Sequence, residues 1–381
     1  MHVAVPRETA PGEKRVALVP GGLAKLIAAG IEVAIEPGAG AAALHEDDAY
    51  VTAGATVAAD RASLYKGVDV VCKVQAPSHA EAAELPEGSA VVCLFQPGAD
   101  LELVKILTSR RIGLFSLDLL PRISRAQSMD ALSSQATVSG YRSVLIAAGR
   151  LPRFFPMFMT AAGTIPPAKV LVMGAGVAGL QAIATARRLG AVVHAYDVRT
   201  AARDEVRSLG ATFIELELET AEGSGGYAGE QSEDFLRRQR ELIGKEVAAS
   251  DVVITTAAIP GRRAPLLVTA EMVHAMAPGS VIVDLAAESG GNCELSKPGE
   301  EIDVDGVIVH GVRNLPSSMP FHASFLYSRN IAELLGILVH DGAFAPDFDD
   351  EIIAGTCVTF AGEVRNEPTR KLLEGPAEGA Q

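Results

Sequence analysis

Val170-Leu171-Val172-Met173-Gly174-Ala175-Gly176-Val177-Ala178-Gly179 is an apolar run that feeds directly into the spacing GxGxxG. It predicts a strand, a tight turn and a helix. Gly174 permits the turn, Gly176 lets the backbone approach a pyrophosphate, and Gly179 allows the helix to pack closely on the strand. Phosphates would sit at the helix N-terminus, where unpaired N–H groups and the helix dipole favour negative charge. The competing reading is a purely structural turn.

The flanking sequence favours the nucleotide. A helical stretch from Leu180 to Leu189 ends at Gly190, and Ala191 to Tyr196 reads as the next strand, closed by Asp197. An acid at that point meets the adenosine ribose. It accepts hydrogen bonds from both ribose hydroxyls and repels a 2′-phosphate, which favours NAD over NADP. Arg199, close by, argues the other way.

The same alternation runs through the chain. Strands are expected at His2 to Val5, Ile31 to Ile35, Val68 to Val74, Ala90 to Leu94 and Ile112 to Leu117, with helices such as Leu23 to Ala29 and Leu101 to Arg110 among them. Such repetition implies a parallel sheet covered on both faces. Pro37-Gly38-Ala39-Gly40 follows a strand but lacks the fingerprint and reads as a plain turn. A second unit begins near Ser133 with a helix through Val144-Leu145-Ile146. It continues with strands at Ala211 to Leu218, Val252 to Thr255, Val281 to Leu285 and Val307 to Val309. A long helix, Phe325 to Leu338, precedes a polar tail. The expected fold is therefore α/β, with two Rossmann-like, doubly wound parallel-sheet domains separated by a cleft. Residues 1–132 plus 317–381 would form a discontinuous first domain without GxGxxG, and residues 133–316 the NAD(H)-binding domain.

Composition narrows the class of function. The chain has 381 residues and a formal net charge of −14, with no basic stripe, which argues against nucleic acid and against docking on anionic lipid. No apolar run approaches the roughly 20 residues of a membrane span, so direct insertion is not expected. The N-terminus reads as an opening strand rather than a signal peptide. Cys72, Cys93, Cys293 and Cys357 lack metal-ligand spacing and read as reduced, mostly buried thiols, so no metal is expected.

Chemistry concentrates in few places. The loop from Pro121 to Gln135 is dense in polar groups. Gln127 is placed to meet a nicotinamide carboxamide, and Arg122 and Asp130 either form an ion pair or contact a ribose; alternatively the segment is a connector with helix caps at Ser128 and Asp130. Arg15 and Lys73 are candidates to grip a carboxylate substrate, or else solvated surface charges. Asp284 and Glu288 follow a strand. The glycine-rich segment from Glu219 to Glu230, with Tyr227 its one aromatic, is either a lid or a surface loop. Between His79 and His194 there is no histidine. Oxidation of an amino or hydroxy acid needs a proton acceptor, usually histidine, whereas hydride passing between two nicotinamides needs none.

With these residues in view, the sequence closely resembles the NAD(H)-binding component, domain I, of proton-translocating nicotinamide nucleotide transhydrogenases, relatives of alanine dehydrogenase. The matching segments include Pro6-Arg7-Glu8, Arg15-Val16-Ala17, Pro121 to Gln135, Met159 to Thr164, Gly174 to Thr185, Asp197-Val198-Arg199, Thr255 to Gly261, Asp284 to Asn292 and Gly355 to Thr359. The resemblance implies that Arg122, Gln127, Asp130 and Ser133 position the nicotinamide. It assigns NAD(H) contacts to Gly174, Gly176, Val177, Ala178, Gly179, Asp197, Val198, Arg199, Ala257, Pro260 and Gly261, with Tyr227 on a mobile loop that closes over the nucleotide. It further implies a Re/Si-specific enzyme, a homodimer working with a membrane-spanning component and a component that binds NADP(H). Such a chain is cytoplasmic and peripheral to the inner membrane through its partners. The alternative is an alanine dehydrogenase-like amino acid oxidoreductase. Against it, the catalytic histidine of that family has no equivalent near Cys93 to Gly98, and Glu288 stands where its aspartate would be. A nucleotide sensor without turnover is a third reading.

Overall fold

The computed structural model describes residues 1–215, 233–258 and 262–374, with side chains of the helix Glu233–Ala248 described from residue 240. The chain divides into two compact units, Met1–Gln135 with Pro316–Gln381, and Ala136–Leu315.

The first unit opens with β1 (His2–Val5), β2 (Glu32–Ile35), β3 (Thr56–Val57), β4 (Val70–Gln75), β5 (Ala90–Leu94) and β6 (Gly113–Ser116), all parallel where they pair with one another. In the second unit come an exposed hairpin of β7 (Phe158–Thr160) and β8 (Gly163–Ile165), then β9 (Lys169–Met173), β10 (Val192–Tyr196), β11 (Thr212–Phe213), β12 (Val252–Thr255), β13 (Val281–Asp284), β14 (Glu301–Val304) and β15 (Val307–Gly311). The chain then returns to the first unit with a short hairpin of β16 (Val339–His340) and β17 (Ala343–Phe344), followed by β18 (Cys357–Phe360) and β19 (Glu363–Val364).

Both large sheets share one logic. The first runs β3-β2-β1-β4-β5-β6-β18-β19, and the second β11-β10-β9-β12-β13-β15-β14. Strand order reverses between β1 and β4 in one and between β9 and β12 in the other. That reversal is where doubly wound sheets bind ligands. The strands are apolar nearly throughout because both faces are covered. Val70, Cys72 and Val74 enter one core while Val71 enters the other. Likewise Val170 and Val172 lie on one face of the second sheet and Leu171 and Met173 on the opposite one. The helix Pro320–Leu338 buries Tyr327, Ile331, Leu334, Leu335 and Leu338 in the core of the first unit, with Val3, Val5 and Ile35.

Several elements depart from the expectation. The polar tail contains β18, which pairs antiparallel with β6, and Thr359 donates to the Ile112 carbonyl at 2.9 Å. β14 closes the second sheet antiparallel to β15. β11 is shorter than the run from Ala211 to Leu218, whose last three residues lie outside the described ones. Among the described residues, no helix is long and apolar enough to cross a membrane, and no cluster of His, Cys, Asp or Glu could hold a metal ion.

Candidate functional site

In the second unit β9 ends at Met173, and Gly174 turns the chain at φ +102°, a conformation that favours glycine. A Cβ there would also lie 2.5 Å from the Thr256 hydroxyl, which donates to the Gly174 carbonyl at 3.1 Å. The helix Val177–Arg188 follows at once. A Cβ on Gly179 would come within 1.8 Å of the Gly174 carbonyl oxygen, so this glycine is required by packing. Gly176 differs. Its φ is −78°, and a Cβ built on it meets no protein atom within 4 Å. No contact within the chain demands glycine there. The exposed backbone at Gly176 is a cradle that a side chain would fill, at the N-terminus of a twelve-residue helix. The residues present fit a dinucleotide pyrophosphate. Val177 is exposed beside it, and Ala178 presses its carbonyl so close to Gly140 of the 131–150 helix that a Cβ on Gly140 would lie 2.1 Å away.

At the end of β10, Asp197 accepts from the Ala175 amide at 2.7 Å, from the Arg199 amide at 2.8 Å and from the Arg199 guanidinium at 3.0 and 3.1 Å. Burial raises the Asp197 carboxyl, but these hydrogen bonds, Arg199 first, outweigh it and hold the group below the usual carboxylate range. The side chain of Arg199 is 62% exposed, yet its charge is committed to Asp197. This answers the ambiguity in the sequence, because a paired guanidinium is a poor receptor for a 2′-phosphate. Val198 is exposed. Beyond β12, Ala257 has both backbone groups engaged by Asn292, at 3.0 Å to its N–H and 2.8 Å to its carbonyl. Pro260, Gly261 and Tyr227 lie outside the described residues.

Asp284 is not a reacting group. It is fully buried and accepts from Thr255 and from the amides of Ala286, Asn292 and Cys293 at 2.9 to 3.1 Å, and from the Ser296 hydroxyl. A carboxylate so saturated organises the loop that carries Asn292. Glu288 accepts from the Asn314 amide at 2.9 Å.

The polar loop belongs to the first unit. It makes a 3-10 turn, Ser124–Met129, with Ala126, Met129 and Ala131 buried in the core. Arg122 and Gln127 face outward, exposed. Asp130 caps the helix Ala131–Arg150, accepting from the Ser133 amide at 2.9 Å and its hydroxyl at 2.6 Å. The anticipated ion pair of Arg122 with Asp130 is not formed, because the cap uses the carboxylate. Arg125 supplies the loop's ion pair instead, meeting Asp350 through both guanidinium nitrogens at 2.6 and 2.7 Å.

Arg15 and Lys73 are not solvated charges. They are 3% and 2% exposed. Arg15 is held by both oxygens of Glu13 at 2.8 and 2.7 Å, while Lys73 lies 3.4 Å from Glu8 and 3.2 Å from Glu81. Burial pushes the Glu8 carboxyl up, against the pull of Lys73 and the Val74 amide. Three carboxylates thus already neutralise two cations at the β1–β4 reversal, leaving little attraction for another carboxylate. The histidines that pair do so with Glu32, Asp100, Glu246, Asp305 and Glu301, none of them in this cluster or in the loop. Burial also pushes all four thiols up, Cys293 to about 11 and Cys357 to about 12, so they stay un-ionised at neutral pH.

Comparison with known proteins agrees with this geometry. Residues 4–139 match the alanine dehydrogenase/PNT N-terminal domain, and residues 143–367 the C-terminal domain. The first of the separate chains that make up the NAD(P) transhydrogenase alpha subunit of Rhodospirillum rubrum is 48% identical over 374 residues, covering 96% of this chain and 97% of that protein. Alanine dehydrogenase of Bacillus subtilis is 30% identical over 383 residues, covering 98% and 95%. Among solved structures, transhydrogenase from Sinorhizobium meliloti superposes with a TM-score of 0.88 at 43% identity, over 96% of this chain and all of that one. An L-alanine dehydrogenase reaches 0.83 at 25% identity, over 98% and 99%. The chain belongs to the alanine dehydrogenase/PNT family and stands, by its near full-length identity, with the NAD(P) transhydrogenase alpha subunits.

Proposed function

We propose that this chain is the NAD(H)-binding component of a proton-translocating transhydrogenase, working as a homodimer with an NADP(H)-binding component and a membrane-spanning component. In this reading it resides in the cytoplasm, held peripherally at the inner membrane by those partners. The observation that carries the nucleotide assignment is Gly176, a glycine that no contact of the described residues requires, set at a helix N-terminus between Gly174 and Gly179.

Each residue then has a defined task. Gly174, Gly176, Val177, Ala178 and Gly179 receive the pyrophosphate, and Asp197, Val198 and Arg199 receive the adenosine ribose. Ala257, Pro260, Gly261 and Tyr227 complete the nucleotide contacts. Arg122, Gln127, Asp130 and Ser133 orient the nicotinamide. When bound, NADH supplies a hydride from its nicotinamide C4 to the C4 of NADP⁺ on the partner, giving NAD⁺ and NADPH with no proton acceptor involved. The chain's own contribution is alignment at about 3 to 3.5 Å and exclusion of water. The absence of a histidine beside Arg15 and Lys73, both already neutralised, supports this over oxidation of alanine.

The test is hydride transfer from NADH with and without an NADP(H)-loaded partner component, beside an alanine-plus-NAD control. Activity that depends on the partner is expected. Turnover of alanine by the chain alone would replace this reading with a dehydrogenase, and NADH binding without transfer would replace it with a sensor.

A further inference from the structure

The Pro121–Gln135 loop presents its polar residues outward, and its register depends on one buried amide. Asn330 lies on the helix Pro320–Leu338 and is 7% exposed. Its Nδ2 donates to the Ser128 carbonyl at 2.8 Å, and its Oδ1 accepts from the Ser134 hydroxyl at 2.7 Å. A carbonyl can only accept, so chemistry fixes the amide's orientation, nitrogen toward Ser128 and oxygen toward Ser134. The amide therefore bridges the two ends of the segment that contains Asp130 and Ser133, with Gln127 next in sequence to its first anchor.

The bridge is backed by a buried polar chain. The Ser134 hydroxyl oxygen accepts from Gln135 at 3.2 Å, and Gln135 in turn accepts from Arg15 at 2.9 Å, which Glu13 clamps. Gln135 also donates to the Ala323 carbonyl of the helix that carries Asn330, at 3.1 Å. Hydrogen bonds linked in a poorly solvated interior reinforce one another. On the outer side, the Arg125–Asp350 pair ties the turn a second time.

We propose that Asn330 is a positioning residue for hydride transfer: by joining the Ser128 carbonyl to Ser134 it holds Gln127, Asp130 and Ser133 in the arrangement that orients the nicotinamide. This rests on the role assigned to the loop under the proposed function. It also gives Arg15 a place as backing for Gln135 rather than as a grip for substrate. Only an amide fits both anchors. Aspartate keeps the acceptor for Ser134 but turns a lone pair on the Ser128 carbonyl, and alanine loses both bonds.

Full-length N330A and N330D, with Q127N alongside, are assayed with the NADP(H)-loaded partner component for kcat and for the KM of NADH. Calorimetry then gives their affinity for NADH and for ADP-ribose, which lacks the nicotinamide. Misplacement by about 1 Å costs on the order of a hundredfold in rate, so both Asn330 variants are expected to lose about ten- to a hundredfold in kcat. The KM should move less than about threefold and ADP-ribose affinity should stay unchanged, since the adenosine contacts are elsewhere. Should N330A not fold, N330D, of nearly equal volume, carries the test. Wild-type kcat in N330D, or ADP-ribose affinity falling in step with kcat, overturns the proposal. A loss in Q127N with Asn330 variants unaffected overturns the positioning role alone. Full activity in Q127N and the Asn330 variants overturns the assignment of the loop itself.

Discussion

An alanine at Gly176 would add a Cβ that meets no protein atom within 4 Å, whereas one at Gly179 would place it 1.8 Å from the Gly174 carbonyl oxygen. The two substitutions should therefore separate binding from stability. Gly176→Ala is expected to keep the thermal midpoint and lose about tenfold or more in NADH affinity, roughly 1.4 kcal/mol per tenfold. Gly179→Ala is expected to lose stability outright, by about 1 to 3 kcal/mol or more, as overpacking does. Wild-type NADH affinity in Gly176→Ala would remove the pyrophosphate cradle. Asp197 carries a related prediction. Its loss frees the Arg199 guanidinium, so Asp197→Ala should weaken NAD and narrow the discrimination against NADP. Calorimetry showing both affinities unchanged would sink the ribose assignment. Of these residues the glycines and Asp197 were legible from spacing, because turn, helix and acid occur in one run of sequence. Asn292, Gly140 and Asn330 were not. Each acts on a segment that the fold brings to it from far along the chain.

At the scale of elements, the ends of the parallel strands gather the buried charges. Asp118 follows β6, and burial pushes its carboxyl from the usual 3.8 up to about 6, despite a hydrogen bond from the Phe95 backbone. The sign follows from linkage. The folded state holds this proton more tightly than the unfolded one, so stability falls as pH rises from about 4 to 6, and the full cost remains above that. Asp118→Asn should raise the thermal midpoint at about pH 8, by an effect on the order of 2 kcal/mol, and leave it nearly unchanged near pH 4. Equal shifts at both pH values would mean that the substitution acts through packing. The central strands were readable because burial on both faces makes them continuous apolar runs. β14 and β18 were not, since β14 alternates Glu301 and Asp303 with apolar neighbours, and β18 lies in a polar tail whose partner strand is far back in the sequence. The same distance hid the environment of Arg15 and Lys73. Spacing suggests cations at strand ends, and only the fold brings Glu8, Glu13 and Glu81 around them.

At the scale of the whole molecule, the second unit is one continuous stretch, Ala136–Leu315, while the first is completed only by residues from Pro316 onward. The open edge of β6 is covered by β18, which begins at Cys357. A ribosome adding about 5 to 20 residues per second needs roughly 10 to 50 s to get from one strand to the other. During that interval a nascent first unit exposes a bare strand edge and lacks the helix Pro320–Leu338 that fills its core. The fingerprint-bearing unit, in contrast, has its full sequence available before any of that returning segment is made. Order of synthesis thus lets the nucleotide-binding half mature first, and leaves the loop of Gln127 without its Asn330 anchor until the helix that carries it emerges.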